Sequence, residues 1–219
     1  MRVLSVLAAA LLSAGAMAGG IKGSGNVIEQ TRTVADFQSI RSEGAWSLDV
    51  KVGPAPSLKI RADDNLIPLI ETSVSNNQLF IRMKELPDKT IHIGDKSSLR
   101  IELTVPKLTG YTHEGAGKAA FHDLSGDKFT LAYEGAGLVT ATGKVDKLTV
   151  QASGAGAVDF DKLKARDVTV NLEGVGAVSV YASDSLTASV EGIGSLTYYG
   201  KPGKLSKSVS GIGSVRAGD

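Results

Sequence analysis

The sequence predicts an all-β protein whose C-terminal half is a parallel β-helix, or β-solenoid, with coils of about 19 residues. Three observations carry this. A Gly-x-Gly motif recurs six times, at Gly115 and Gly117, Gly135 and Gly137, Gly154 and Gly156, Gly174 and Gly176, Gly192 and Gly194, and Gly211 and Gly213, with spacings of 20, 19, 20, 18 and 19 residues. Each of the last five pairs follows an alternating segment that starts six residues before its first glycine: Phe129 to Tyr133, Leu148 to Ala152, Val168 to Leu172, Leu186 to Val190 and Leu205 to Val209. Helical periodicity is missing, since no window of about 11 residues holds an i, i+3, i+4 apolar face.

Within one coil, the alternating segment reads as a strand with one buried face. The glycine pair reads as a structural corner, where positive φ or close backbone approach excludes a Cβ. A second short strand follows, as at Ala157 to Phe160 or Ala177 to Val180, and a polar turn such as Thr142 to Lys147 closes the unit. The pairs do not read as phosphate loops, because no G-x-G-x-x-G opens a helix. A helical-hairpin repeat needs about 34 residues, and the Leu/Asn signature of leucine-rich repeats is missing. Val215 to Asp219 follow the last pair without a capping pattern, so that end is expected to be exposed or covered by a partner, and homo-oligomerisation through it is plausible.

The first half reads as the same kind of structure in less regular form. Phe37 to Trp46 resembles a degenerate unit, with Trp46 where the second glycine would fall. Strands are expected at Ser47 to Val52, Ser57 to Ala62, Gln78 to Met83 and Ser98 to Val105, separated by turns at Gly53-Pro54, Asp63 to Asn65 and Asn76-Asn77. Longer strands and shorter turns favour antiparallel pairing here. One or two helical turns are expected within Asn65 to Thr72, limited by Pro68. Residues 19–106 therefore form an N-terminal β region that merges into the repeats of 107–219 as one body.

The N-terminus reads as an export signal. Met1 and Arg2 precede an apolar run from Val3 to Leu12 and small residues from Ser13 to Gly20, with Ala16-Met17-Ala18 placing cleavage before Gly19. The run is shorter than the roughly 20 residues that span a bilayer. Residues 1–18 are thus a signal peptide, no other segment is apolar enough to span, and the mature chain is expected in the periplasm or at the cell surface. The 219 residues carry 24 basic and 23 acidic groups, a balance unsuited to nucleic acid. No cysteine is present, which excludes disulfides, thiolate chemistry and a lipobox.

With these residues placed, the chain resembles the head GIN-domain family, exported bacterial proteins grouped as auto-transporter adhesins. The resemblance runs from Gly25 to Tyr199 and rests on Val34 to Phe37, Ala62 to Ile70, Leu79 to Arg82 and the glycine-paired units. It implies a β-helical body and an envelope location, and it carries no catalytic residues with it.

Candidate chemistry is sparse. Glu114, Glu134, Glu173 and Glu191 precede four of the six pairs, with Ser153 and Ser210 at the other two and Glu43 in the degenerate unit. If the coils stack in register, these carboxylates form a surface stripe, either a cation- or glycan-binding edge or a solvated row of turn residues. Asp127, Asp146 and Asp184 each stand two residues before a strand, which suits Asx-turns. Trp46 is expected in the core, and of Tyr198 and Tyr199 at most one is expected to be buried. His113 and His122 flank one coil and offer a weak metal pair. No catalytic, cofactor-binding or metal set is assigned. The reading is a non-enzymatic β-solenoid that meets an envelope protein or polysaccharide. The alternative is a carbohydrate-active β-helix enzyme, a polysaccharide lyase or hydrolase, which would need converging groups that break the repeat.

Overall fold

A computed structural model describes residues 20–86, 91–92 and 99–219. The signal read at 1–18 lies outside them, as does Ser98 at the start of an expected strand. The elements in chain order are β1 (Ile21–Lys22), β2 (Val27–Arg32), β3 (Ser39–Val52), β4 (Ser57–Asp63), a 3-10 turn (Ile67–Leu69), β5 (Ile70–Ser75), β6 (Gln78–Met83), β7 (Ile91–His92), β8 (Arg100–Val105), β9 (Gly110–Tyr199), β10 (Lys204–Gly211) and β11 (Ser214–Ala217). The protein is all-β, and its main sheet is mixed.

That sheet runs in the order β10-β9-β3-β8-β4-β2, with β11 on β9, β6 on β3 and β5 on β6. Antiparallel pairing, favoured for the first half, holds for β2 with β4, β4 with β8, and β5 with β6. The last pair turns through Asn76 and Asn77, at φ 51° and 59°. Two consecutive left-handed residues give the turn whose twist matches flanking strands, and asparagine tolerates them. In contrast, β3 pairs in parallel with β6, β8 and β9. Long-range partners of this kind leave no local mark in the sequence. The expected helical stretch is one 3-10 turn with Pro68 in it, and Ile70 onward is strand instead, because its backbone groups pair with β6.

The degenerate unit aligns with the first glycine pair. Along β3 and β9, Glu43 faces Glu114, Gly44 faces Gly115 and Trp46 faces Gly117. At the other end the register is shifted by one repeat: β10 pairs in parallel with β9 from Lys204 opposite Ser185 to Gly211 opposite Gly192, and β11 pairs Ser214 with Ser195.

The 90 residues of β9 are continuously extended. Laid straight they would reach about 300 Å. They fold back instead, since the Phe121 and Phe129 rings lie 5.5 Å apart and Phe129 and Phe160 6.2 Å, all three fully buried. A single apolar core runs from Phe37 to Leu196 and includes Trp46. Of Tyr198 and Tyr199, at most one of them expected to be buried, neither is: both are half-buried.

The glycine pairs lie against one another across the repeat. A Cβ on Gly174 would stand 2.6 Å from the Gly154 carbonyl oxygen, at a φ of 98° that side chains rarely adopt. Gly156 has no left-handed φ, yet its Cβ would come within 2.8 Å of the Gly137 oxygen. Contacts that short do not occur for real side chains, so both positions demand glycine, for partly different reasons.

Candidate functional site

Alternation along β9 decides which side chains reach the surface before each glycine pair. Tyr111 and His113 point inward, while Thr112 and Glu114 point outward. The next units repeat the arrangement: Leu131, Tyr133, Ala152 and Leu172 are buried, and Glu134, Gln151, Asn171 and Glu173 are exposed.

These outward residues border a cleft of about 370 Å³. One wall is Glu114, Glu134, Ser153 and Glu173, the residues directly before four successive pairs. The other is Thr112, Ala132, Gln151 and Asn171, two positions earlier in each unit. His113, Tyr133 and Ala152 lie beneath. Among the described residues no lysine or arginine lines the cleft. The structure thus brings together three of the four expected carboxylates. Glu191 does not join them; it is exposed one unit further on, beside the apolar Ile193.

Among the described residues only Glu114 of the three is ion-paired. Arg41 reaches it at 2.6 Å through one guanidinium nitrogen and holds Glu43 at 2.9 Å through Nε. The Glu43 hydrogen bond is the main cause raising the Arg41 pKa.

Beneath the cleft is a stack of buried rings. Tyr111 and His113 have centroids 5.8 Å apart at 16°, and His113 and Tyr133 5.4 Å apart at 20°. Ser42, fully buried on β3, ties this stack to Trp46. Its Oγ accepts the Trp46 indole N–H at 3.1 Å, and it lies 2.9 Å from His113 Nδ1 and 3.4 Å from the Tyr111 hydroxyl. Burial lowers the His113 pKa, so the imidazole stays neutral, and burial raises that of Tyr133. Tyr133 is only 5% exposed, and its hydroxyl has no hydrogen-bond partner among the described residues. A buried donor without a partner costs on the order of 1–3 kcal/mol.

The two histidines are not brought together. His113 is in the core, whereas His122 faces outward with Nε2 3.5 Å from Asp49. Among the described residues no group of three or more His, Cys, Asp or Glu side chains is arranged to hold a metal. Nor does Asp184 bond its own backbone two residues on; it accepts from Ser183 Oγ at 2.9 Å and Arg166 Nε at 3.0 Å, and these two bonds lower its pKa. Asp127 lies 3.9 Å from Lys107.

Thr112, Gln151, Asn171 and Tyr133 are site residues that the sequence reading passed over. Aligning the units by their glycines puts the first three in one column, a signal that was there to be read. The middle position of each Gly-x-Gly shows another gradient: Ala116, Ala136 and Ala155 give way to Val175, Ile193 and Ile212, which are 54%, 55% and 77% exposed.

Among the described residues no helix is long and apolar enough to cross a membrane. No curated protein matches the chain. Among solved structures it is similar to a putative adhesin from Bacteroides fragilis NCTC 9343, with 23% identity and a TM-score of 0.72 over 90% of this chain and 100% of that one. It is also similar to a putative lipid binding protein from Parabacteroides distasonis ATCC 8503, with 20% identity and a TM-score of 0.50 over 91% and 99%. At these identities the likeness speaks for the fold alone. The family described as "Putative auto-transporter adhesin, head GIN domain" matches residues 36–202, and the chain belongs to that family.

Proposed function

We propose that this is an exported, non-enzymatic interaction protein of the periplasm or cell surface, and that its acid-lined cleft binds an extended envelope polysaccharide. The body is a β-solenoid of about 19-residue coils over 107–219, continuous with the β region of 19–106, and the glycine pairs are its corners. Parallel pairing displaced by one repeat and the close contacts between successive glycines support that architecture. Family membership and the signal-like N-terminus support the location.

One observation carries the binding role: equivalent residues of four successive units line a single cleft. Stacked strands repeat at about 4.8 Å, so hydroxyl, amide and carboxylate groups recur along the cleft at a fixed interval. A polymer with its own repeat can meet several of them in one register, and each sugar hydroxyl can donate to a carboxylate or accept from an amide. Carboxylates one coil apart repel, and Ser153 relieves that repulsion at the third coil. Their separation along the cleft suits ligand groups taken one at a time.

The test is binding of wild type and of the Glu134→Gln, Glu173→Gln double variant to an array of envelope polysaccharides, with reducing-sugar and unsaturated-product release measured on each positive. The expected result is a hit weakened at least tenfold in the variant, with no product. Equal binding by both proteins would remove the cleft from the reading. Turnover abolished by substituting one acidic residue would establish the carbohydrate-active enzyme instead.

A further inference from the structure

The edge of the sheet at β10 has the composition of a core strand and the exposure of a surface one. In the preceding repeat Leu186, Ala188 and Val190 are at most 2% exposed. Their register partners on β10 are Leu205, Lys207 and Val209, and here Leu205 is 42% and Val209 44% exposed. On its other side β10 pairs with no strand among the described residues, so its outward N–H and C=O groups are free to bond an added strand. Lys207 occupies the place that Ala188 holds in the core. Its ammonium lies 3.4 Å from the Val215 carbonyl oxygen and 5.9 Å from the centre of the Tyr198 ring, over the apolar mouth, and no carboxylate pairs with it among the described residues.

We propose that this edge takes up an extended segment of another protein by strand addition, and that the segment carries an acidic residue flanked at two positions on either side by apolar ones. Backbone hydrogen bonds would supply affinity. Apolar side chains would cover Leu205 and Val209, and the acid would meet Lys207. A lysine shut in by a wholly apolar strand would be left charged, buried and without a counter-charge.

A second copy of this chain does not fit. Other free edges include β5, which sets the neutral Thr72 between Ile70 and Val74 and so offers Lys207 no acid, and β2, which places Ile28, Gln30 and Arg32 on the same side as the buried Ala62, Ile60 and Leu58 of β4. Docked on β10, β2 would bring an amide and a guanidinium to Lys207. Arg32 is moreover committed to the Ile67 and Ile70 carbonyls and to Thr72. Two β10 edges related by a twofold would set Lys207 against Lys207. Both arrangements oppose like charges, a known way of discouraging edge-to-edge self-association.

The test uses three fluorescent decapeptides of alternating polar and apolar residues, identical except for Glu, Gln or Lys at the central inward position. Their binding is measured by anisotropy to wild type, Lys207→Gln and Lys207→Glu. Wild type is expected to bind the Glu peptide at least tenfold more tightly than the Lys peptide. Lys207→Glu should reverse the order and Lys207→Gln abolish it, with slowed amide exchange confined to residues 204–217. The side chain is on the rim, so melting temperatures should stay within a few degrees and report folding of each variant. No binding of any peptide, or a preference unchanged in Lys207→Glu, would overturn the proposal. So would a stable wild-type dimer by light scattering at high concentration, which would make a second copy the occupant.

Discussion

The units around Gly115 and Gly135 and those around Gly174, Gly192 and Gly211 share a motif but differ inside and out. In the first group the buried residue before the acid is an aromatic ring, His113 or Tyr133, and both glycines of each pair have positive φ, from 131° to 150°. In the second group the same position holds an aliphatic residue, buried at Leu172 and Val190 and exposed at Val209 before Ser210, and only the first glycine has positive φ, near 100°. The outer surface changes with it. Alanine at the middle position accompanies the rings, whereas exposed Val175, Ile193 and Ile212 accompany the aliphatics, and the polar cleft ends at Asn171 and Glu173 where the two groups meet. One backbone period therefore supports two surfaces. The residue buried before the pair goes together with the backbone angles of the pair, and the middle residue is free to vary because it faces water.

The largest effect that would test this contrast is at the glycines. A Cβ on Gly135 would run into the Gly115 carbonyl oxygen at a strained φ of 148°, whereas Gly156 has the close approach alone. We expect Gly135→Ala to cost about 2–4 kcal/mol and Gly156→Ala about half as much, read by denaturant unfolding. Equal costs would mean that the left-handed φ at Gly135 adds nothing to the cost.

A smaller effect is expected from the ring stack. His113 is buried and neutral among Ser42, Tyr111 and Tyr133, with Glu114 next in sequence. Burial holds its native pKa below the ordinary histidine value of 6.5, so below about pH 6.5 the unfolded chain binds a proton that the native state refuses. Stability contributed by this site is complete above that pH and is lost as the pH falls, by at most about 1.4 kcal/mol per pH unit. His113→Gln should flatten the stability curve between pH 7.5 and 5 relative to wild type. An unchanged slope would show that the imidazole is not what couples the aromatic units to pH.

The smallest effect is expected at the tips. Ile193→Ser should change stability by less than about 0.5 kcal/mol, because the side chain is already 55% exposed. A loss of 2 kcal/mol in the same unfolding experiment would show that these residues hold the units together and would collapse the distinction between inner and outer positions.

Much of the fold was readable because it is written locally. Strand limits at Ser57 and at Gln78 to Met83 follow from alternation between turn residues, and they match the observed bounds within a residue. The match of Trp46 to Gly117 could be read from the motif before it. The order of strands in the first half could not, since β3 finds partners in β6, β8 and β9 far along the chain. The site was half readable. Its carboxylate wall follows from the residue before each glycine, but its depth depends on Tyr133 and His113 being stacked below, and Ser42 meets His113 across 71 residues.

By itself the sequence determined the period, the positions where no side chain is tolerated and the inward or outward sense of each strand residue. Those are properties of one repeat and its immediate neighbours, set by sterics and by the two-residue alternation of a strand. Tertiary structure alone decided which units border a common cleft, which ring is left with an unpaired hydroxyl, and that Lys207 stands at a core position on an open edge. These depend on which segments lie side by side, and that is settled by the packing of the whole core.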